Sequence, residues 1–236
     1  MIRFARLLDP RENSVRDLPL EEIENHLGKG EEHVLWLDVE DPTPEDAARL
    51  REWFGFHPLA LEDCLKDHQR PKFEAYGDTL FFVCYRVAFD RAQGAMQTSE
   101  LDLFLSRHFV VTLHQGAYPE AEGIINRWLN LDLPELDRSG GLFYFILDEV
   151  VDDYFPVIDE LGDRLEFLED LVFKSPEPRW FSRIFRIRKE LSRLRRLVFP
   201  LREAVLLLMR HDHPVLVPQV RFHLQDVYDH LARITE

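Results

Sequence analysis

The chain has 236 residues, 45% hydrophobic and 31% charged, enough to bury a sizeable core in one large domain or two modest ones. Its net charge of −15 repels phosphate backbones, which argues against a nucleic-acid partner and suits divalent cations. The amino-terminal MIRFARLLDPRENS lacks the apolar run of a secretory signal, Cys64 and Cys84 make no disulfide framework, and AVLLLM at 204–209 falls well short of the ~20 apolar residues of a membrane-spanning helix.

The first part alternates strand and helix patterns. HVLWLDVE (33–40), TLFFVCYRVAFD (79–90), ELDLFLS (100–106) and HFVVTLH (108–114) carry the aromatic and β-branched residues of strands. The last two are close enough to form a hairpin around Ser106-Arg107. Between the first two, TPEDAARLREWFG predicts a helix capped by Thr43, with Pro44 at its first position and Gly55 closing it. A second helix begins at Pro58 and carries Leu61, Glu62, Asp63 and Leu65. HQRPKFE then reads as a turn leading to the 79–90 strand, with His68, Arg70 and Lys72 tethering nearby carboxylates. YPEAEGIINRWLN (118–130) predicts one more helix, and LDLPELDRSGG (131–141) a linker. The domain boundary falls there, giving domains 1–138 and 139–236.

From that point the apolar pattern has helical spacing. Leu147, Val151, Tyr154, Ile158, Leu161, Leu165, Leu168 and Val172 step by four and three, as in a coiled-coil seam. Trp180 to Leu208 repeats the stepping after KSPEP, so two long helices should fold back on each other. Pro156 and Pro200 should bend them locally without breaking the apolar register. Residues 148–170 carry ten acids against Arg164, and 179–202 nine bases against Glu190, so the two faces should attract. A third seam, Val220 to Ile234, ends without a glycine cap or closing proline, which predicts a helix cut in mid-course and a natural protein that continues.

Enzymatic chemistry has one foothold, His211-Asp212-His213, but Pro214 and its loop-like neighbours offer no further ligands, and a solvated turn is the better reading. The chain contains no Cys-x-x-Cys pair, G-x-S-x-G elbow or P-loop, and it is read as a non-enzyme.

WLDVEDPTPEDAARLREWFGFHPLALEDCLKDHQRPKFEAY, DEVVDDYF, VFPLREAV and QDVYDH, in this order, resemble the cytosolic, amino-terminal portion of CorA-type magnesium and cobalt channels. The resemblance implies an α+β fold: an α/β/α sandwich with a mixed, mostly antiparallel sheet, followed by a long antiparallel helical hairpin and the start of a stalk helix. It further implies a homopentamer on the cytoplasmic face of the cell (inner) membrane. The membrane is reached only through carboxy-terminal helices that this chain lacks, together with the family's Gly-Met-Asn pore signature. A related zinc-transporting branch shares this architecture, and a stand-alone coiled-coil interaction module is the remaining alternative.

In such proteins the Asp of the LED triplet faces a stalk-helix Asp of the neighbouring subunit across a regulatory Mg2+ or Co2+ site; here these are Asp63 and Asp226. A second site uses the Glu before that Asp with an Asp early in the first long helix, matching Glu62 and Asp148. The residues allow this independently, since consecutive helix positions point about 100° apart, so Glu62 and Asp63 can serve two neighbouring ions but not easily one. Acids clustered at a subunit boundary repel without metal and are bridged by it.

Overall fold

The computed structural model describes residues 1–9, 11–29, 33–66, 69–130, 136, 138–175 and 177–236, with residues 28 and 29 described by backbone alone. Seven strands form one sheet: β1 (Ile2–Asp9), β2 (Ser14–Asp17), β3 (Val34–Glu40), β4 (Lys72–Tyr76), β5 (Thr79–Asp90), β6 (Ala95–Leu105) and β7 (Phe109–His114). Their order is β2-β1-β3-β7-β6-β5-β4. The β3–β7 pair is parallel and the other five pairs are antiparallel, so the sheet is mixed and mostly antiparallel.

Both faces of the sheet are covered, which is why β3 and β7 read as near-continuous apolar runs. Alternate residues of β5 go to opposite sides: Leu80, Phe82 and Cys84 enter one apolar cluster, Phe81 and Val83 the other. The second cluster is closed by α1 (Ile23–Lys29), α2 (Pro44–Phe54) and α3 (Pro58–Cys64), through Ile23, Leu50, Ala60 and Leu61. The first is closed by α4 (Ala121–Leu129) and the helices after it, and it unites Trp36 and Leu103 of the sheet with Phe143, Leu201 and Leu224. The arrangement is an α/β/α sandwich.

α2 forms as its sequence dictates. The Thr43 side chain accepts from the Asp46 amide while Asp46 reaches back to the Thr43 amide, Pro44 occupies the first turn, and Gly55 terminates it at φ 68°.

Four helices follow: α5 (Ser139–Asp152), α6 (Tyr154–Lys174), α7 (Pro178–Arg210) and α8 (Pro218–Thr235). The predicted first seam is continuous in its side chains but not its backbone. α5 ends at Asp152, four residues before the Pro156 whose ring removes a helical hydrogen bond, and Tyr154 Oη donates to the Tyr85 carbonyl at 2.7 Å, fixing the break to the sheet. α7 runs through Pro200 uninterrupted for 33 residues.

Several expectations need correction. Lys72–Tyr76 is an edge strand and not a turn, because Lys72 to Tyr76 pair in register with Val83 to Thr79. The Gly pair expected to end a linker lies in the first turn of α5. A Cβ on Gly140 would sit 2.5 Å from the Val215 carbonyl oxygen, and one on Gly141 2.0 Å from that of Leu136, so close approach and not looseness requires glycine there. The rest of the expected linker, 131–135 and 137, lies outside the described residues, as does His68. The charge attraction between the hairpin helices does not take the form of ion pairs: among the described residues no salt bridge joins α6 to α7. Glu160 of α6 instead binds Arg91 on the β5–β6 turn and Arg164 of its own helix. His211-Asp212-His213 is only partly a solvated turn, since His213 is buried and its Nδ1 accepts from the Val215 amide at 3.3 Å.

Candidate metal centre

α5 and α8 each carry acidic or imidazole groups four residues apart, which places them on one face of their helix. On α5 these are Asp148 and Asp152; on α8 they are Asp226 and His230. The two helices pack together, and one ligand atom from each of Asp148, Asp152 and His230 lies within 4.8 Å of the others. His230 Nδ1 is 3.5 Å from Asp152 Oδ1, and its Nε2 is 3.7 Å from Asp226 Oδ2. Although His230 Nδ1 is buried, it makes no hydrogen bond among the described residues.

Asp148 is the buried member of the group, 6% exposed. From α4, the Arg127 guanidinium donates to Asp148 Oδ2 at 2.8 Å and to Glu149, and lies over the Phe145 ring. Burial, reinforced by Asp152, raises the Asp148 carboxyl above its ordinary range, while Arg127 and His230 oppose the rise. The same negative potential reaches Tyr144, whose phenol is pushed up to about 12 by burial and then by Asp148 and Asp226. The site is therefore electron-rich and only partly neutralised in the protein alone.

These donors fit a divalent cation. Metal–ligand bonds of about 2.1 Å put opposite ligands about 4.2 Å apart, so small side-chain adjustments would bring all three onto one ion and leave positions for water. Two carboxylates suit Mg2+, and an imidazole adds affinity for Co2+, Zn2+ and their neighbours.

Glu62 and Asp63 lie elsewhere. They sit on α3, whose Ala60 and Leu61 are buried in the second apolar cluster, whereas α5 and α8 pack in the first, on the other side of the sheet. His57 starts this short helix by accepting from the Leu59 amide, with Pro58 in the first turn. The exposed Glu62 is paired with Lys66, one turn on. Asp63 is half-buried and accepts from Lys72 Nζ at 2.6 Å; that ammonium also lies 3.1 Å from Glu74. Burial works against the Lys72 charge, yet its two carboxylate partners raise its pKa overall. Of the three basic residues expected to tether carboxylates, Lys72 does so, and Arg70 pairs with no carboxylate among the described residues.

The structure thus gathers Asp148 and Asp226 into one neighbourhood and leaves Glu62 and Asp63 in another. Neither expected pair, Asp63 with Asp226 or Glu62 with Asp148, meets within a single chain. Asp152 and His230 complete the α5–α8 group; each lies four residues from an expected ligand, but only the packing of α5 on α8 brings them together.

Residues 31–236 match the family model described as CorA-like Mg2+ transporter protein. The chain is 30% identical over 223 residues to the Bacillus subtilis protein named as metal ion transporter YfjQ, covering 94% of this chain and 67% of that protein. It is 29% identical over 203 residues to the cobalt/magnesium transport protein CorA of Thermotoga maritima, covering 85% of this chain but only 58% of that one. Among solved structures, the soluble domain of CorA from Methanocaldococcus jannaschii superposes with a TM-score of 0.77 at 20% identity, covering 99% of this chain and 90% of that one. Among the described residues no helix is long and apolar enough to cross a membrane. With a match of this extent beneath the same sandwich and long helices, the chain belongs to the CorA-like Mg2+ transporter family.

Proposed function

We propose that this chain is the cytosolic regulatory part of a CorA-type divalent cation channel, in which Mg2+, or Co2+ in its place, binds carboxylate sites and favours a closed assembly. What supports this reading most is the convergence of Asp148, Asp152 and His230 from α5 and α8, with Asp226 beside His230. The chain works as a homopentamer on the cytoplasmic face of the membrane. Asp63 and Glu62 of one subunit approach Asp226 and Asp148 of its neighbour, so that metal bridges them. Falling Mg2+ leaves like charges facing each other, and the population moves toward a looser, open state.

A cation bound only by the folded state stabilises it by RT ln(1 + [L]/Kd), about 2.7 kcal/mol at a hundredfold excess over Kd. The test is the melting temperature of the chain across a Mg2+ titration at constant ionic strength, with its mass in solution measured alongside. A rise that is reduced in Asp63→Ala and in Asp226→Ala, the part held within one chain by Asp148, Asp152 and His230 remaining, is expected for the assembled chain. An assembled pentamer that shows no rise would overturn the reading. Zinc is the second candidate cargo; because the His230 imidazole binds Zn2+ more tightly than Mg2+ whichever ion is carried, ion flux through the full-length protein is the measurement that selects it.

A further inference from the structure

Two stretches that carry the family resemblance, HQRPKFEAY and the α7 segment leading into VFPLREAV, meet in the fold. Gln69, Arg70 and Pro71 lead into the edge strand β4, which packs against α7. Between them lies a groove of about 840 Å³, within the range of roughly 300–1,000 Å³ common to small-molecule sites. Its lining includes Arg70, Arg193, Arg195 and Arg196, with Glu203 as the one carboxylate among the described lining residues. Leu197, Phe199 and Pro200 provide an apolar wall.

Two of these four cations have partners. Arg193 is held by Glu190 at 3.1 Å and by the Met96 carbonyl. Arg195 lies over the Phe199 ring, its guanidinium carbon 4.9 Å from the centroid. Among the described residues Arg70 and Arg196 make no hydrogen bond, ion pair or ring contact. Among the described residues no acid of α6 pairs with these arginines, and three bases of α7, Arg193, Arg195 and Arg196, line this groove in a chain whose net charge is −15.

Planar guanidinium groups converging from two elements bind phosphate oxygens in pairs, which neither water nor a single carboxylate reproduces. We propose that this groove binds a small polyphosphate anion of nucleotide size, with Arg70 and Arg196 as its principal contacts. Arg193 and Arg195 complete the cradle, and the apolar wall beside Phe199 is available to an attached base. The inference is independent of the metal sites, from which the groove is lined by different residues.

Calorimetric titration of the 236-residue chain with ATP and with inorganic tripolyphosphate, both in EDTA, tests it. Saturable binding of both is expected. Equal affinities would make the phosphates the whole ligand, and tighter ATP binding would add contacts to the base. Arg70→Gln and Arg196→Gln should each weaken binding at least tenfold, whereas Arg188→Gln, on α7 but outside the groove, should leave it unchanged. Glu203→Gln should strengthen binding, a gain that misfolding cannot mimic. The proposal is overturned if neither anion binds saturably at millimolar concentration, or if Arg188→Gln weakens binding as much as Arg196→Gln.

Discussion

Arg127→Gln separates the structural and metal-binding roles of the α5–α8 acids. Arg127 donates to Asp148 and Glu149, and Asp148 is buried beside Asp152. Removing one partner of a fully buried ion pair costs roughly 3–5 kcal/mol. The Arg127 side chain is 43% exposed and Glu149 31%, so solvent screens part of the interaction and about 1–2 kcal/mol is expected here. Asp148 already has a raised pKa in the folded state, and losing Arg127 raises it further. Its folded form then binds a proton more readily than the unfolded chain, so its favourable contribution is present at acid pH and is lost as pH rises through the folded pKa. The deficit of the variant should therefore be small at acid pH and full at neutral pH. A dication at Asp148, Asp152 and His230 would replace the missing guanidinium, and recovery of 2 kcal/mol requires about thirtyfold excess over Kd. Urea unfolding at two pH values, with EDTA or with Mg2+ or Co2+, measures all of this. Equal metal-induced gains in variant and wild type, or no loss of stability in EDTA at neutral pH, would refute the assignment.

Other expectations follow from buried hydrogen bonds. Thr112 Oγ1 accepts from Trp36 Nε1 at 3.0 Å and donates to the fully buried Asp38, which also contacts His114 and Arg3, so Thr112→Val leaves the Trp36 N–H unpaired and should cost about 2 kcal/mol. A shift in the urea midpoint worth under 1 kcal/mol would contradict this. Burial lowers the His213 pKa below its ordinary 6.5, so the folded state disfavours its protonation, and stability should fall as pH drops through that value. His213→Leu should flatten this part of a melting-temperature profile. The Tyr85 hydroxyl lies 2.6 Å from the Gln69 carbonyl oxygen and 2.5 Å from Glu100 Oε2, so Tyr85→Phe should loosen the segment that presents Arg70 and weaken tripolyphosphate binding several-fold by calorimetry.

What could be read in the sequence was mostly what local chemistry decides. Thr43, Pro44 and Gly55 bound α2 because capping depends on a few adjacent atoms. The 79–90 and 108–114 strands were legible because central strands covered on both faces are apolar throughout. β1, β2 and β4 lie at or near the sheet edges, where partly exposed residues blur the alternation, and they were missed. Gly140 and Gly141 resembled a linker because a sequence does not show which carbonyl oxygens will press against a helix. The opposite charges of α6 and α7 suggested pairing, but net charge says nothing of which face a side chain takes. At the metal centre, Asp148 and Asp226 came from family resemblance. Asp152 and His230 needed the crossing of α5 and α8, which no spacing within one helix specifies.

The two acidic neighbourhoods differ in readiness for metal, and this bears on how a sensor would fill. Asp148, Asp152 and His230 belong to one chain and need only small side-chain movements to share an ion. In that group only Asp148 is held by a permanent cation, Arg127, whereas Asp63 and Glu62 are each held by a lysine, Lys72 and Lys66. A dication bridging to a neighbouring subunit must displace those ammonium groups, and it does so most readily when a second carboxylate from that neighbour adds its attraction. Lys72 retains Glu74 when it leaves Asp63, which limits the cost of the exchange. On the proposed function, the α5–α8 site therefore fills at lower metal concentration and independently of assembly, while the α3 site fills only where subunits meet. Metal titrations at protein concentrations below and above assembly should show one transition in the first case and two in the second. A single transition in both would place all the binding on α5 and α8.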